Sequence, residues 1–148
     1  MGAHGVWAPL HSEWYARSPE DRMPHSIDRK TAFTHIWTAR GHLIARVLTP
    51  NVGQREVAIV TSEIGDAITE LQSESKGRAM VLDLSDVRML SSMGLGMCVD
   101  LKNQADRAKM RPLLFGANAT LLELLKLMRV DRLYTVVADQ SALDRQLA

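Results

Sequence analysis

The apolar positions of this chain change period several times, and each change marks a structural element. Ala32 to Thr38 and His42 to Leu48 read as two short strands, and the Ala39-Arg40-Gly41 link between them suits an antiparallel hairpin. Pro50 and Gly53 then interrupt the chain. From Arg55 to Ser75 the apolar residues Val57, Val60, Ile64, Ala67, Ile68 and Leu71 recur at helical spacing. Glu56, Glu63, Asp66 and Glu70 take the opposite face, and Lys76-Gly77-Arg78 supplies a glycine stop.

Ala79 to Leu84 is an apolar run broken only by Asp83, the pattern of an interior parallel strand covered on both faces. Helical spacing returns at Leu95, Cys98, Val99, Leu101, Ala105 and Ala108, with Asp100, Asn103, Gln104 and Arg107 opposite. The turn between is Met89-Leu90-Ser91-Ser92-Met93, where Ser91 or Ser92 is the expected N-cap of the helix. Gly94 and Gly96 in its first turn each cost about 1 kcal/mol relative to alanine. That cost implies close packing or close approach at this point.

Pro112 leads into a strand from Leu113 to Gly116, and Asn118 caps a helix from Leu121 to about Arg129. Tyr134 to Ala138 make a last strand, and Ser141 to Leu147 a last helical turn or two. The order β-β-α-β-α-β-α-β-α predicts an α/β fold, a mixed β-sheet of four to five strands with helices packed on it and right-handed crossovers. In the third helix, Leu121, Leu122, Leu124, Leu125, Leu127 and Met128 form a band too wide for one packed face. Burial on two sides is expected; the alternative is an exposed stripe for a partner or a second copy.

Residues 1–29 carry three of the five prolines, three histidines and no periodicity. They are read as an irregular or flexible extension ahead of a domain over 30–148. Trp7, Leu10, Trp14 and Tyr15 are unusual in a free tail and favour one that lies on the domain surface. His4, His11 and His25 are irregularly spaced and lack companion cysteines, so surface histidines are expected rather than a metal site.

Charge adds little. Eighteen basic and seventeen acidic residues give a formal net charge of +1, with no electrostatic case for nucleic acid or an anionic membrane. No apolar run approaches the ~20 residues of a membrane span and no signal-peptide core is visible, so a cytoplasmic protein is expected. The single cysteine, Cys98, excludes an internal disulfide and is read as a core residue.

Enzymatic readings fare poorly. Ser91 and Ser92 do not stand in a Gly-x-Ser-x-Gly elbow, and no histidine follows His42 to act as a base. Gly94 and Gly96 match no phosphate-binding loop. Asp83 and Asp86 have no third carboxylate nearby, so a hydrogen-bonded strand end is expected rather than a hard-cation site. No catalytic residue, metal or cofactor is therefore expected.

The stretch LDLSDVRMLSSMGLGMCVDLKNQA, followed by MRPLLFGANATLLELLKLMRVDRLYTVVAD, resembles the STAS domain. That module is shared by bacterial anti-sigma factor antagonists and the cytoplasmic tails of sulphate transporters, and the resemblance covers roughly residues 30 to 148. In the family, the first serine or threonine after an Asp at this junction is phosphorylated by a partner kinase. The matching residue is Ser92, with Ser91 as second choice. Ser91 stands where the family has Asp, Met93 where it often has a second hydroxyl, and Thr49-Pro50-Asn51-Val52-Gly53 where it often has Gly-x-Leu-Asp.

The resemblance implies a non-catalytic anti-sigma factor antagonist in a partner switch. It would bind an anti-sigma factor serine kinase through Ser91, Ser92, Met93, Gly94 and Leu95, with a phosphatase to reverse the modification; a homodimer is compatible with it. The physics suits such a switch, because a phosphate adds about −1.5 to −2 charge beside the positive end of the helix dipole. The alternative is a STAS scaffold or small-ligand module that is never phosphorylated, in which the serines only cap the helix.

Overall fold

The computed structural model describes residues 26–148, so the histidines and aromatic residues of the first 25 positions lie outside the described residues. Strand β1 (Asp28–Lys30) pairs antiparallel with β2 (Thr34–Ala39), which pairs antiparallel with β3 (His42–Val47). Arg40 and Gly41 link β2 to β3 with φ of 52° and 85°, the two left-handed residues that match the twist of a tight hairpin. After β4 (Asn51–Val52) comes α1 (Gln54–Leu71), then β5 (Ala79–Asp83), β6 (Met89–Leu90) and α2 (Ser92–Arg107). The chain closes with β7 (Arg111–Phe115), α3 (Ala119–Leu127), a 3-10 turn at Val130–Leu133, β8 (Thr135–Val137) and α4 (Gln140–Leu147).

The main sheet has the order β1-β2-β3-β5-β7-β8, parallel from β3 onward, and β4 and β6 form a separate two-stranded parallel ribbon. The α/β prediction holds, with the sheet widened to six strands by β1. That strand reads Asp-Arg-Lys and is exposed, so no apolar alternation announced it. The fold thus begins earlier than residue 30: Ile27 is buried, its N–H donating to Thr38 Oγ1 at 3.1 Å.

Alternation along the strands divides the core in two. On one face Leu43, Ala45, Val47, Met80 and Leu82 meet α1, α2 and α3 through residues such as Ile64, Leu101 and Leu125. On the other, Trp37, Ile44, Val81 and Leu113 meet Leu143 and Leu147 of α4. Asp83, within the apolar strand β5, is fully buried and accepts hydrogen bonds from the Ser85 N–H, at 2.9 Å, and the Ser85 hydroxyl.

Helix α3 departs from expectation. Leu121 and Leu125 are buried, but Leu127 is 78% and Met128 55% exposed. The helix is only nine residues long and lies at the margin of the core, so one side of its apolar band packs while the other faces outward. Asn118 caps it as predicted, accepting from the Leu121 N–H at 2.7 Å. Cys98 is buried, which pushes its thiol up to about 12. The carbonyl of Cys98 accepts the buried Tyr134 hydroxyl at 2.6 Å, tying α2 to the chain just before β8.

Candidate functional site

The serine turn is built by the small ribbon. Val52 and Leu90 pair across β4 and β6, and the N–H groups of Arg88 and Met89 both donate to the Pro50 carbonyl, at 2.7 and 3.1 Å. Ser91 is then held twice by one acceptor: its N–H donates to the Val52 carbonyl at 3.1 Å and its hydroxyl to the same oxygen at 3.0 Å. The Ser91 oxygen in turn accepts from the Gly94 N–H at 3.1 Å, which makes Ser91 the N-cap of α2. The choice left open between the two serines is thereby resolved.

Ser92 is the first residue of the helix and is exposed. The amides of Ser92 and Met93 have no acceptor within the helix, because they precede its first full turn. That first turn carries no acidic residue, so the positive end of the dipole is not neutralised from within α2. Two large apolar side chains near Ser92 in the chain are exposed: Met89 is 57% and Met93 48% exposed. Met93 also opens onto a mainly apolar groove of about 600 Å³ between α1 and α2, lined by Val57, Ala58, Gly96 and Met97, with Gln54, Thr61, Ser62 and Asp100 as its polar members.

The five residues singled out in the sequence thus divide by role. Ser91 caps, Ser92 and Met93 face outward, and Gly94 and Leu95 are buried. A Cβ on Gly94 would stand 2.9 Å from the Val52 carbonyl oxygen and 3.0 Å from Leu90 Cδ2, so this glycine permits the helix to sit directly on the ribbon. A Cβ on Gly96 would meet nothing within 4 Å. Close packing therefore accounts for the first glycine and not for the second, which leaves the groove open beside Met93.

A pair of substitutions checks this division. Gly94→Ala is expected to lower stability by about 1 to 2 kcal/mol, overpacking outweighing the better helix propensity of alanine. Gly96→Ala is expected to raise it by up to about 1 kcal/mol. Urea unfolding of the two variants beside the parent should show midpoints moving in opposite directions; a shared direction would contradict the packing described.

Groups that could do chemistry lie elsewhere. His35 pairs through Nε2 with Asp28 Oδ1 at 2.9 Å, and His42 bonds Ala79 and Leu147. Asp86 receives Arg46 in a two-point ion pair, Nε to Oδ2 at 3.1 Å and Nη2 to Oδ1 at 2.9 Å. Asp83 and Asp86 thus have separate partners, as expected of a hydrogen-bonded strand end. Among the described residues, no group of three or more His, Cys, Asp or Glu is placed to hold a metal ion, and no helix is long and apolar enough to cross a membrane. The groove and the double clamp on Ser91 had no local sequence signal, since both arise from segments about forty residues apart.

Comparison with known proteins places this architecture. Among curated protein sequences none matches the chain. A solved structure of an anti-sigma factor antagonist (STAS) domain protein from Planctomyces limnophilus superposes with a TM-score of 0.63 at 13% identity, covering 78% of this chain and 98% of that one. The Bacillus cell fate determinant SpoIIAA in its phosphorylated form gives 0.56 at 14% identity over 76% and 97%. The anti-sigma factor antagonist SpoIIAA in its unphosphorylated form gives 0.55 at 14% over 82% and 96%. At these identities the likeness is one of fold. The STAS domain family model, however, matches residues 57–141, more than half of the chain and all of α2 with its serine turn, so the chain belongs to the STAS domain family.

Proposed function

We propose that this protein is a non-catalytic anti-sigma factor antagonist that binds an anti-sigma factor serine kinase and is released from it by phosphorylation of Ser92. The observation that carries this reading is the position of Ser92: exposed, first in its helix, beside the open apolar patch of Met89, Met93 and the α1–α2 groove. A partner covering this patch would bury Ser92. A phosphate there would stay favourable for the free domain, next to the unneutralised helix end, while placing a charge against whatever covers the apolar surface. Support also comes from SpoIIAA, an antagonist of the same fold known in phosphorylated and unphosphorylated forms.

Because Ser91 rather than Ser92 supplies the cap, the two functions are separable by substitution. Ser91→Ala is expected to cost about 1 kcal/mol of stability. Ser92→Ala should stay within about 0.5 kcal/mol of the parent and bind the kinase normally. Ser92→Asp is expected to weaken kinase binding at least about tenfold, or about 1.4 kcal/mol, without loss of stability. Calorimetric titration against the kinases encoded with it, together with phosphate mapping by mass spectrometry, tests the reading. Equal affinity of the alanine and aspartate variants, with no phosphate on Ser92 from any of these kinases, would leave the serine turn a structural cap and favour the scaffold alternative.

A further inference from the structure

Among the described residues six large apolar side chains are exposed, and they fall into two groups. Ile59 belongs to α1, and Met89 and Met93 flank the serines. Leu127 and Met128 close α3, and Val136 stands on the edge strand β8, in register with Leu114 on the face that the helices cover. The second group takes no part in the surface proposed for the kinase. Helix α3 starts after Asn118, whose Nδ2 donates to the Val87 carbonyl at 3.4 Å a few residues before the serine turn, and its nine residues run about 14 Å. Leu127 and Met128 therefore lie at its far end.

The outward side of α3 is apolar along one strip and charged beside it. Thr120, Glu123, Leu124 and Leu127 recur at steps of three and four, so they share a side of the helix turned away from the buried Leu121 and Leu125. Together with Lys126 they line one shallow groove. Neither Glu123 nor Lys126 forms an ion pair among the described residues. A cover for this side has to bring apolar surface for Leu124 and Leu127, with a base for Glu123 and an acid for Lys126. Helix α3 itself carries that set.

Turned end for end, the helix is its own complement. When Leu124 of one copy lies against Leu127 of the other, the two-fold repeats the contact, and Glu123 stands two residues, about 3 Å along the axis, from the partner's Lys126. Both charges lie on the same flank of the strip, and the two-fold sets like flank beside like flank, so the pair forms twice. We propose that α3 is a self-association surface, on which a second copy of this chain docks by antiparallel pairing of the two α3 helices, with Leu124 and Leu127 at the centre and Glu123 and Lys126 exchanged across the two-fold. Two nine-residue helices make a small contact, so the dimer is weak. The serine turns of the two copies fall at opposite ends of the helix pair, and one dimer presents both.

Sedimentation equilibrium of the full-length protein, from about 10 to about 500 μM to suit a small interface, tests the pairing. The parent is expected to show a concentration-dependent equilibrium between monomer and dimer. Glu123→Lys and Lys126→Glu should each weaken it at least about tenfold, because each sets like charges together at both contacts. Mixed in equal amounts the two variants should dimerise again, since opposite charges then meet at both contacts of the mixed pair. Leu127→Ser should abolish the dimer while its urea midpoint stays that of the parent, because Leu127 is exposed. A parent that stays monomeric throughout would leave this side of α3 to a different protein and overturn the proposal. Dimers that persist in all three variants, or charge variants that remain monomeric when mixed, would overturn it as well.

Discussion

Gly116→Ala is expected to lower stability by about 3 kcal/mol, which is large for the addition of one methyl group in a loop. Gly116 follows β7 with φ of 84°, a conformation that costs an L-residue about 1 to 2 kcal/mol. A Cβ there would stand 3.0 Å from both Asp83 Oδ1 and the Ser85 nitrogen and would overlap the Ser85 hydroxyl. It would push into the bonds that satisfy a fully buried carboxylate, and disturbing those adds about 1 to 3 kcal/mol. Urea unfolding should show a clearly lower midpoint with an unchanged slope. A midpoint equal to that of the parent would mean that the loop repacks freely and that Asp83 does not depend on it.

A second large effect is expected on acidification. His42 Nδ1 accepts the Ala79 N–H at 2.9 Å, so the ring proton is on Nε2, which donates to the Leu147 carbonyl. Protonating Nδ1 would set a new N–H against that of Ala79. Burial is the main cause of a pKa lowered from 6.5 to about 4, helped by Arg78, Arg111 and Arg40, while the Leu147 carbonyl acts in the opposite sense. The unfolded chain takes up the proton near pH 6.5 and the folded chain only near 4. The stabilisation is therefore complete above pH 6.5 and is lost as pH falls toward 4, amounting to about 3 kcal/mol over that window. Unfolding free energies of the parent and of His42→Gln between pH 7 and 4 should converge as the pH drops. Parallel curves would show that His42 does not contribute to the acid sensitivity of the fold.

What could be read in the sequence follows from how far apart the interacting residues lie. The periodic runs of β2, β3, α1, β5 and α2 repeat within a few residues, and their boundaries came within about four residues of those observed, because one buried face sets each pattern. Strands β4 and β6 have two residues each, too short for any alternation, and β1 is polar throughout. The site shows the same division. The turn and its two serines were visible locally, but which serine caps depended on the Val52 carbonyl, thirty-nine positions away. The link from His42 to Leu147 spans 105 positions and left no local trace. The width of the α3 band is legible, but the position of the helix at the edge of the core is not, so burial on two sides is the first expectation and the exposed stripe, which Leu127 and Met128 form, only the alternative.

The ribbon of β4 and β6 also bears on the order in which the molecule assembles. Two residues on each side cannot hold a parallel pair together unaided, and joining them closes a loop of nearly forty residues. That closure gains little until α1 and β5, which lie within the loop, have already condensed with the rest of the sheet. The surface proposed to meet a partner is then expected to be among the last parts of the chain to be fixed and among the first to open. Recognition at Ser92 would select chains that have finished folding, so that an incomplete molecule could not compete for the same partner.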